Sequence, residues 1–137
     1  MNRVMVFGAF DGLHPGHEHF LTQAKSYGES LTVVLATDAT IARLKGRAPV
    51  HPFAERSAAL LASGLVDEVV AGDDAEGVYT AAAEQKPDTV VFGYDQEALK
   101  KDFIAWITRR GIGANIIVAA AHEPETYKSS LRRTPHI

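Results

Sequence analysis

Apolar and polar positions in this chain fall into alternating blocks. Val4 to Phe7 form a short apolar run that stops at Gly8, and Leu31 to Ala36 (LTVVLA) form a second, rich in β-branched residues and flanked by polar positions. Both read as buried strands. Between them, His17 to Ser26 carries Phe20, Leu21 and Ala24 at helical spacing, and the Tyr27-Gly28 pair marks its end, completing a β-α-β unit. The alternation predicts further helices from about Asp38 to Leu44, Phe53 to Ser63, Val78 to Gln85 and Glu97 to Arg110. It predicts further strands at Glu68 to Ala71, Thr89 to Phe92 and Asn115 to Val118. A loop, KGRAPVHP, separates the second and third helices. Trp106, flanked by Phe103, Ile104 and Ile107, reads as packing one face of the last helix, in the core or at a subunit contact. Only Ala119 to Ile137 departs from the pattern, as a loop followed by one helical turn near Ser129 to Arg133. Strands alternating with helices imply an α/β fold, a parallel sheet with helices on both faces, and ligands in such folds bind beyond the carboxyl ends of the strands. The loops after Phe7, Ala36 and Phe92 are therefore where function is expected.

Composition narrows the function classes. At 137 residues the chain has the size of one domain, 1–137, with enough length to bury a core without staples, and it shows no internal repeat or linker. With no cysteine, disulfides, thiolate zinc sites and cysteine nucleophiles are excluded. MNRVMVFGAF lacks the features of a secretory signal, and no run approaches the roughly 18 apolar residues of a membrane span, so a cytoplasmic protein with no membrane partner is expected. The net charge of −3 and pI near 6.0, without a basic stripe interleaved with aromatics, argue against a nucleic-acid partner. Affinity for phosphates must then come from a local cluster of cations.

The segment Gly8-Ala9-Phe10-Asp11-Gly12-Leu13-His14-Pro15-Gly16-His17 joins the first strand to the first helix with three glycines and two histidines in ten residues. Glycine lets backbone amides approach a ligand, and the free N–H groups at a helix N-terminus form a phosphate site. Imidazoles three apart at such a point can both donate to phosphoryl oxygens. Two other readings are open: His14 and His17 as surface or capping residues, and a metal site combining them with Asp11. Phe10 reads as packing beneath the loop, and Asp11 as fixing the turn through backbone hydrogen bonds, with substrate contact as an alternative. Asp38 follows the second strand, where it could cap the next helix or meet an acceptor. Arg56 lies near a helix N-terminus, unfavourable for a cation unless a partner such as a ligand phosphate is supplied. Gly93-Tyr94-Asp95-Gln96 follows a strand and could form a plain turn or read a base or acceptor ring. No G-x-G-x-x-G follows the first strand, which disfavours a dinucleotide-binding oxidoreductase.

GAFDGLHPGH resembles the G-x-F-D-x-x-H-x-G-H signature of the cytidylyltransferase-like nucleotidyltransferases. The resemblance extends through Lys45-Gly46-Arg47, Glu55-Arg56, Val66-Asp67-Glu68-Val69, Gly93-Tyr94-Asp95-Gln96 and Ser129-Ser130, nearly the whole chain. KGR, GYDQ and SS in so short a chain are most similar to the archaeal-type FAD synthetases, with the glycerol-3-phosphate cytidylyltransferases as nearest competitor. Ala9 stands where many members carry Thr, and the tail matches only in part. The resemblance implies a Rossmann-like sheet and transfer of a nucleoside monophosphate from ATP or CTP to a phosphate-bearing acceptor, FMN favoured, with release of pyrophosphate. It implies His14, His17 and Lys45 as catalytic, and Gly8, Ala9, Phe10, Asp11, Gly16, Gly93, Tyr94, Asp95, Ser129 and Ser130 as nucleotide-binding. Asp38, Arg47, Arg56 and Gln96 would meet the acceptor or its phosphate. Mg²⁺ would be held through the nucleotide phosphates, with no metal site made by protein alone. Many relatives dimerise, so a homodimer is a further expectation. A nucleotide-binding module without catalysis is the alternative of another class, disfavoured by the intact His14, His17, Lys45 and Ser130.

Overall fold

The computed structural model describes residues 2–120. In chain order its elements are β1 (Arg3–Gly8), α1 (Pro15–Lys25), β2 (Ser30–Leu35), α2 (Asp38–Lys45), α3 (Phe53–Ala62), β3 (Glu68–Ala71), α4 (Thr80–Gln85), β4 (Thr89–Phe92), α5 (Glu97–Arg109) and β5 (Asn115–Val118). All five strands are parallel, in the order β3-β2-β1-β4-β5. β1 pairs with β2 along its whole length, from Arg3 opposite Ser30 to Gly8 opposite Leu35.

Alternating side chains of the central strands build two cores. Val4 and Val6 of β1 pack with Leu21 and Ala24 of α1 and Leu60 of α3. Met5 and Phe7 pack on the other face with Tyr79 and Ala82 beside and within α4, and with Phe103, Trp106 and Ile107 of α5. A strand covered on both faces has no polar side to show, which is why β1 and β2 read as continuous apolar runs. Trp106 belongs to the second core, in edge contact with Tyr79 at 5.4 Å and beneath the Arg110 guanidinium at 4.5 Å. Among the described residues no helix is long and apolar enough to cross a membrane.

Two helix starts differ from the pattern reading. α1 begins at Pro15, two residues before the expected His17, because the His14 side chain caps it and proline suits the first turn. α4 begins at Thr80 and leaves out Val78, because Tyr79 turns its ring into the second core and donates its hydroxyl to Asp102 at 2.5 Å. Gly28, after α1, is required by close approach: a Cβ there would lie 2.4 Å from the Asn2 carbonyl oxygen.

The strand order positions the site. The chain steps outward from β1 to β2 and β3, then returns to the other side of β1 for β4 and β5. At that reversal the loops after β1 and β4 diverge over opposite faces and leave a crevice beyond the carboxyl ends of the strands.

Candidate active site

A cleft of about 710 Å³ opens at this crevice, lined by the loop after β1, the start of α1, Lys45 and the Gly93–Gln96 turn. Gly8, Ala9, Phe10, Asp11, Gly16, Tyr94 and Asp95 all border it, as do His14 and His17.

Phe10 shapes the first loop. Its backbone takes φ +45, a left-handed conformation costing on the order of 1 kcal/mol in a bulky residue, and its ring is buried in the first core. The ring stands edge-on to His17 at 5.2 Å and lies against Gly8, where a Cβ would approach it to 2.6 Å. Gly8 is therefore a packing glycine for Phe10.

His14 realises the capping reading and borders the cleft as well. Its Nδ1 accepts from Gly16 N at 3.1 Å and from His17 N at 3.4 Å. The first-turn amides expected to receive phosphate are thus engaged by an imidazole. With Nδ1 accepting, the proton of the neutral ring sits on Nε2, which becomes the available donor. The His14 and His17 rings stack at 3.7 Å and 23°. Burial, and then proximity to His14, push the His17 pKa below its ordinary value, against weaker opposing effects of the Gly12 backbone and Asp95. His17 Nδ1 is buried without a partner in hydrogen-bond geometry, although the Gly12 backbone is near enough to the ring to oppose the shift. The neutral form of His17 is thereby favoured.

Asp11 reaches across to the KGRAPVHP loop. Its Oδ2 accepts from Val50 N and its Oδ1 from His51 N, each at 2.8 Å, so it ties two loops together and does not close its own turn. Partial burial would raise its pKa, but these two N–H groups, with His51 and Arg56 nearby, bring it below the ordinary value. Lys45 ends α2 and borders the cleft, Gly46 capping the helix at φ +74, while Arg47 is exposed and lies off the cleft wall.

The structure revises the readings of Arg56 and Asp38. Arg56 does not await a phosphate: its side chain is 0% exposed and pairs with Asp38 Oδ1 at 2.7 Å. It also donates to the carbonyls of His51, Ala9 and Ala36. A cation in the first turn of a helix needs a partner, and protein groups supply it. Asp38 does not cap α2, because Thr37 Oγ1 does so through Thr40 N at 3.1 Å. Asp38 remains half exposed beside its ion pair, and neither it nor Arg56 borders the cleft.

Beyond β4, Gln96 Oε1 accepts from Gly93 N at 2.8 Å and Nε2 donates to Phe7 O at 3.0 Å. Both ends of the amide bind this turn to β1, so Gln96 forms cleft wall and is not a free acceptor contact. Tyr94 and Asp95 stand exposed at the rim; burial and then Asp95 raise the Tyr94 pKa. His19 and Phe20 line the cleft too; the sequence pattern marks Phe20 only as an apolar helix position and does not mark His19. A residue two positions beyond His17 on a helix points away from it by simple periodicity, so no pattern marked His19. Ser129 and Ser130 lie outside the described residues. Among the described residues no group of three or more His, Asp or Glu could hold a metal ion.

The family described as cytidylyltransferase-like matches residues 5–134. An FAD synthase of Thermococcus sibiricus is 37% identical over 139 aligned positions, covering 98% of this chain and 88% of the relative. An FAD synthase of Methanosarcina acetivorans is 35% identical over 121 positions, covering 85% and 76%. A solved structure described as a lipopolysaccharide core biosynthesis protein from Thermoplasma volcanium superposes with a TM-score of 0.81 at 34% identity, covering 90% of this chain and 99% of that one. A pantoate-beta-alanine ligase from Francisella tularensis shares the fold at 15% identity, with a TM-score of 0.66 and coverage of 91% and 61%.

Proposed function

This chain belongs to the cytidylyltransferase-like family, and from that premise we propose that it transfers AMP from ATP to FMN, forming FAD and releasing pyrophosphate. The observation that carries the reading is the stacked His14–His17 pair at the N-terminus of α1, facing the Gly93–Gln96 turn across the crevice at the strand reversal. Near-full-length likeness to FAD synthases supports the choice of ATP and FMN.

In the transfer, an oxygen of the FMN phosphate attacks the α-phosphorus of ATP as the bond from that phosphorus to the bridging oxygen of the β-phosphate breaks. Pyrophosphate leaves with the electron pair, and no covalent enzyme intermediate forms. Negative charge grows on the α-phosphoryl oxygens and on the leaving group, and donors aimed there lower the barrier. His14 donates through Nε2–H. His17, whose pKa is lowered by burial, provides a second imidazole. Lys45, and Arg47 from its exposed loop, meet the β- and γ-phosphates. Tyr94, Asp95 and the Gly93 backbone contact the nucleoside, and Ser129 and Ser130 the triphosphate. Mg²⁺ would be bound through the nucleotide phosphates, where it would supply charge neutralisation. The protein's own share is positioning of two phosphate-bearing substrates, an effect of several kcal/mol.

The test is pyrophosphate release and FAD formation with ATP, FMN and Mg²⁺, with His17→Ala as control and CTP plus glycerol 3-phosphate in parallel. FAD formed by the wild type and lost in the control is the expected result. Release with CTP and none with ATP would overturn the choice of nucleotide.

A further inference from the structure

Arg56 is the most buried charge among the described residues, and its four partners come from three separate segments. Its Nε donates to His51 O at 2.8 Å, its Nη1 to Ala9 O at 3.0 Å and Ala36 O at 2.8 Å, and its Nη2 to Asp38 Oδ1 at 2.7 Å. Ala9 heads the glycine-rich loop, Ala36 directly follows β2, Asp38 opens the helix that ends in Lys45, and His51 lies in the loop that carries Arg47. His51 is gripped on both sides, its N–H by Asp11 and its carbonyl by Arg56. Asp11 and Ala9 belong to one loop, so Ala9, Arg56, His51 and Asp11 close a ring joining the histidine loop to the cationic loop.

We infer that Arg56 is a positioning residue for transfer, acting through the Ala9 and His51 carbonyls and Asp38 to hold the histidine loop and the Lys45 loop in fixed relation. This rests on the transferase reading above. Only a planar group with several donors in a fixed fork can span the four acceptors, so lysine, a point charge on a flexible stem, cannot replace it. Histidines and Lys45 must act on one triphosphate at once, and a displacement of about 1 Å between them suffices to lower turnover by up to about 100-fold.

The experiment compares wild type, Arg56→Lys, and Arg56→Met combined with Asp38→Asn, which removes both charges and strands neither. Three readouts are taken on the full chain: thermal midpoint, kcat and KM for ATP and FMN well below that midpoint, and trypsin cleavage after Lys45 and Arg47 without substrate. In whichever variant folds, kcat should fall by about 10- to 100-fold with little change in either KM, and cleavage at the loop should accelerate several-fold. A folded variant with wild-type kcat and wild-type loop cleavage overturns the inference, as does one whose only change is a lower thermal midpoint. If the wild type itself forms no FAD, the FAD-forming reading fails; the substrate-free cleavage comparison still decides whether Arg56 restrains the loop.

Discussion

His14 performs two tasks that can be separated by substitution. Its Nδ1 caps α1 through Gly16 N and His17 N, and its ring borders the cleft. Alanine removes both functions; asparagine, among the best N-cap residues, restores the cap without an imidazole. Loss of the cap should cost about 1 kcal/mol, which for a chain of this size lowers the thermal midpoint by about 3 to 5 °C. His14→Asn should therefore melt within a degree or two of wild type, and His14→Ala several degrees lower. Turnover should not follow that order. If the Nε2–H donates to the phosphoryl group as its charge grows, both variants lose a preorganised donor worth about 100- to 1000-fold in kcat. Removing His14 also relieves one cause of the depressed His17 pKa, so residual activity should shift its acidic limb to higher pH. Calorimetry or dye melting reports the cap, and a continuous pyrophosphate assay at saturating ATP and FMN reports the chemistry. Near-wild-type turnover by His14→Asn would refute the reasoning, because the imidazole would then serve only as a helix cap.

The His17 pKa lies below 6.5 in the folded protein, so between that lowered value and 6.5 the unfolded chain binds more proton. Its contribution to stability is complete above pH 6.5 and declines as the pH falls towards the folded value. The fall in melting temperature on acidification should accordingly be shallower in His17→Gln than in wild type, and an identical slope in the two proteins would rule out the depressed value. Gly28→Ala places a Cβ 2.4 Å from the Asn2 carbonyl oxygen and 2.8 Å from a Val4 methyl; it should destabilise by about 1 to 3 kcal/mol. Because the site is at the opposite end of the sheet, kcat per folded molecule should be unchanged in the same preparation. Gln96→Met leaves Gly93 N and Phe7 O without their side-chain partner. A loss near 1 kcal/mol in urea unfolding is expected, together with a several-fold rise in KM for ATP as the Tyr94–Asp95 rim loosens.

Local pattern carried most of the architecture. The apolar runs at Val4 to Phe7 and Leu31 to Ala36 and the helical spacing of Phe20, Leu21 and Ala24 are one-dimensional signals, and β3, β4 and β5 were read to the residue. The loop after β1 was legible for the same reason: glycines and histidines crowded into ten consecutive positions need no distant partner to be noticed. Partnerships across the chain were not legible. Asp11 looked like the aspartate of a local turn but bonds the backbone of Val50 and His51, about forty residues on. Gln96 looked like a ligand-reading side chain, yet it fastens its turn to Phe7, eighty-nine residues away. Arg56 looked like a cation in want of an anion, and its charge made a phosphate the natural candidate; the fold meets that need with Asp38 and three carbonyls. The alternation of strands and helices and the chemistry of the first loop follow from the order of residues alone, because periodicity and local composition are properties of neighbours. Which polar groups face the cleft and which hold it together emerges with the fold, because a side chain's partners depend on which strand ends the sheet order brings side by side.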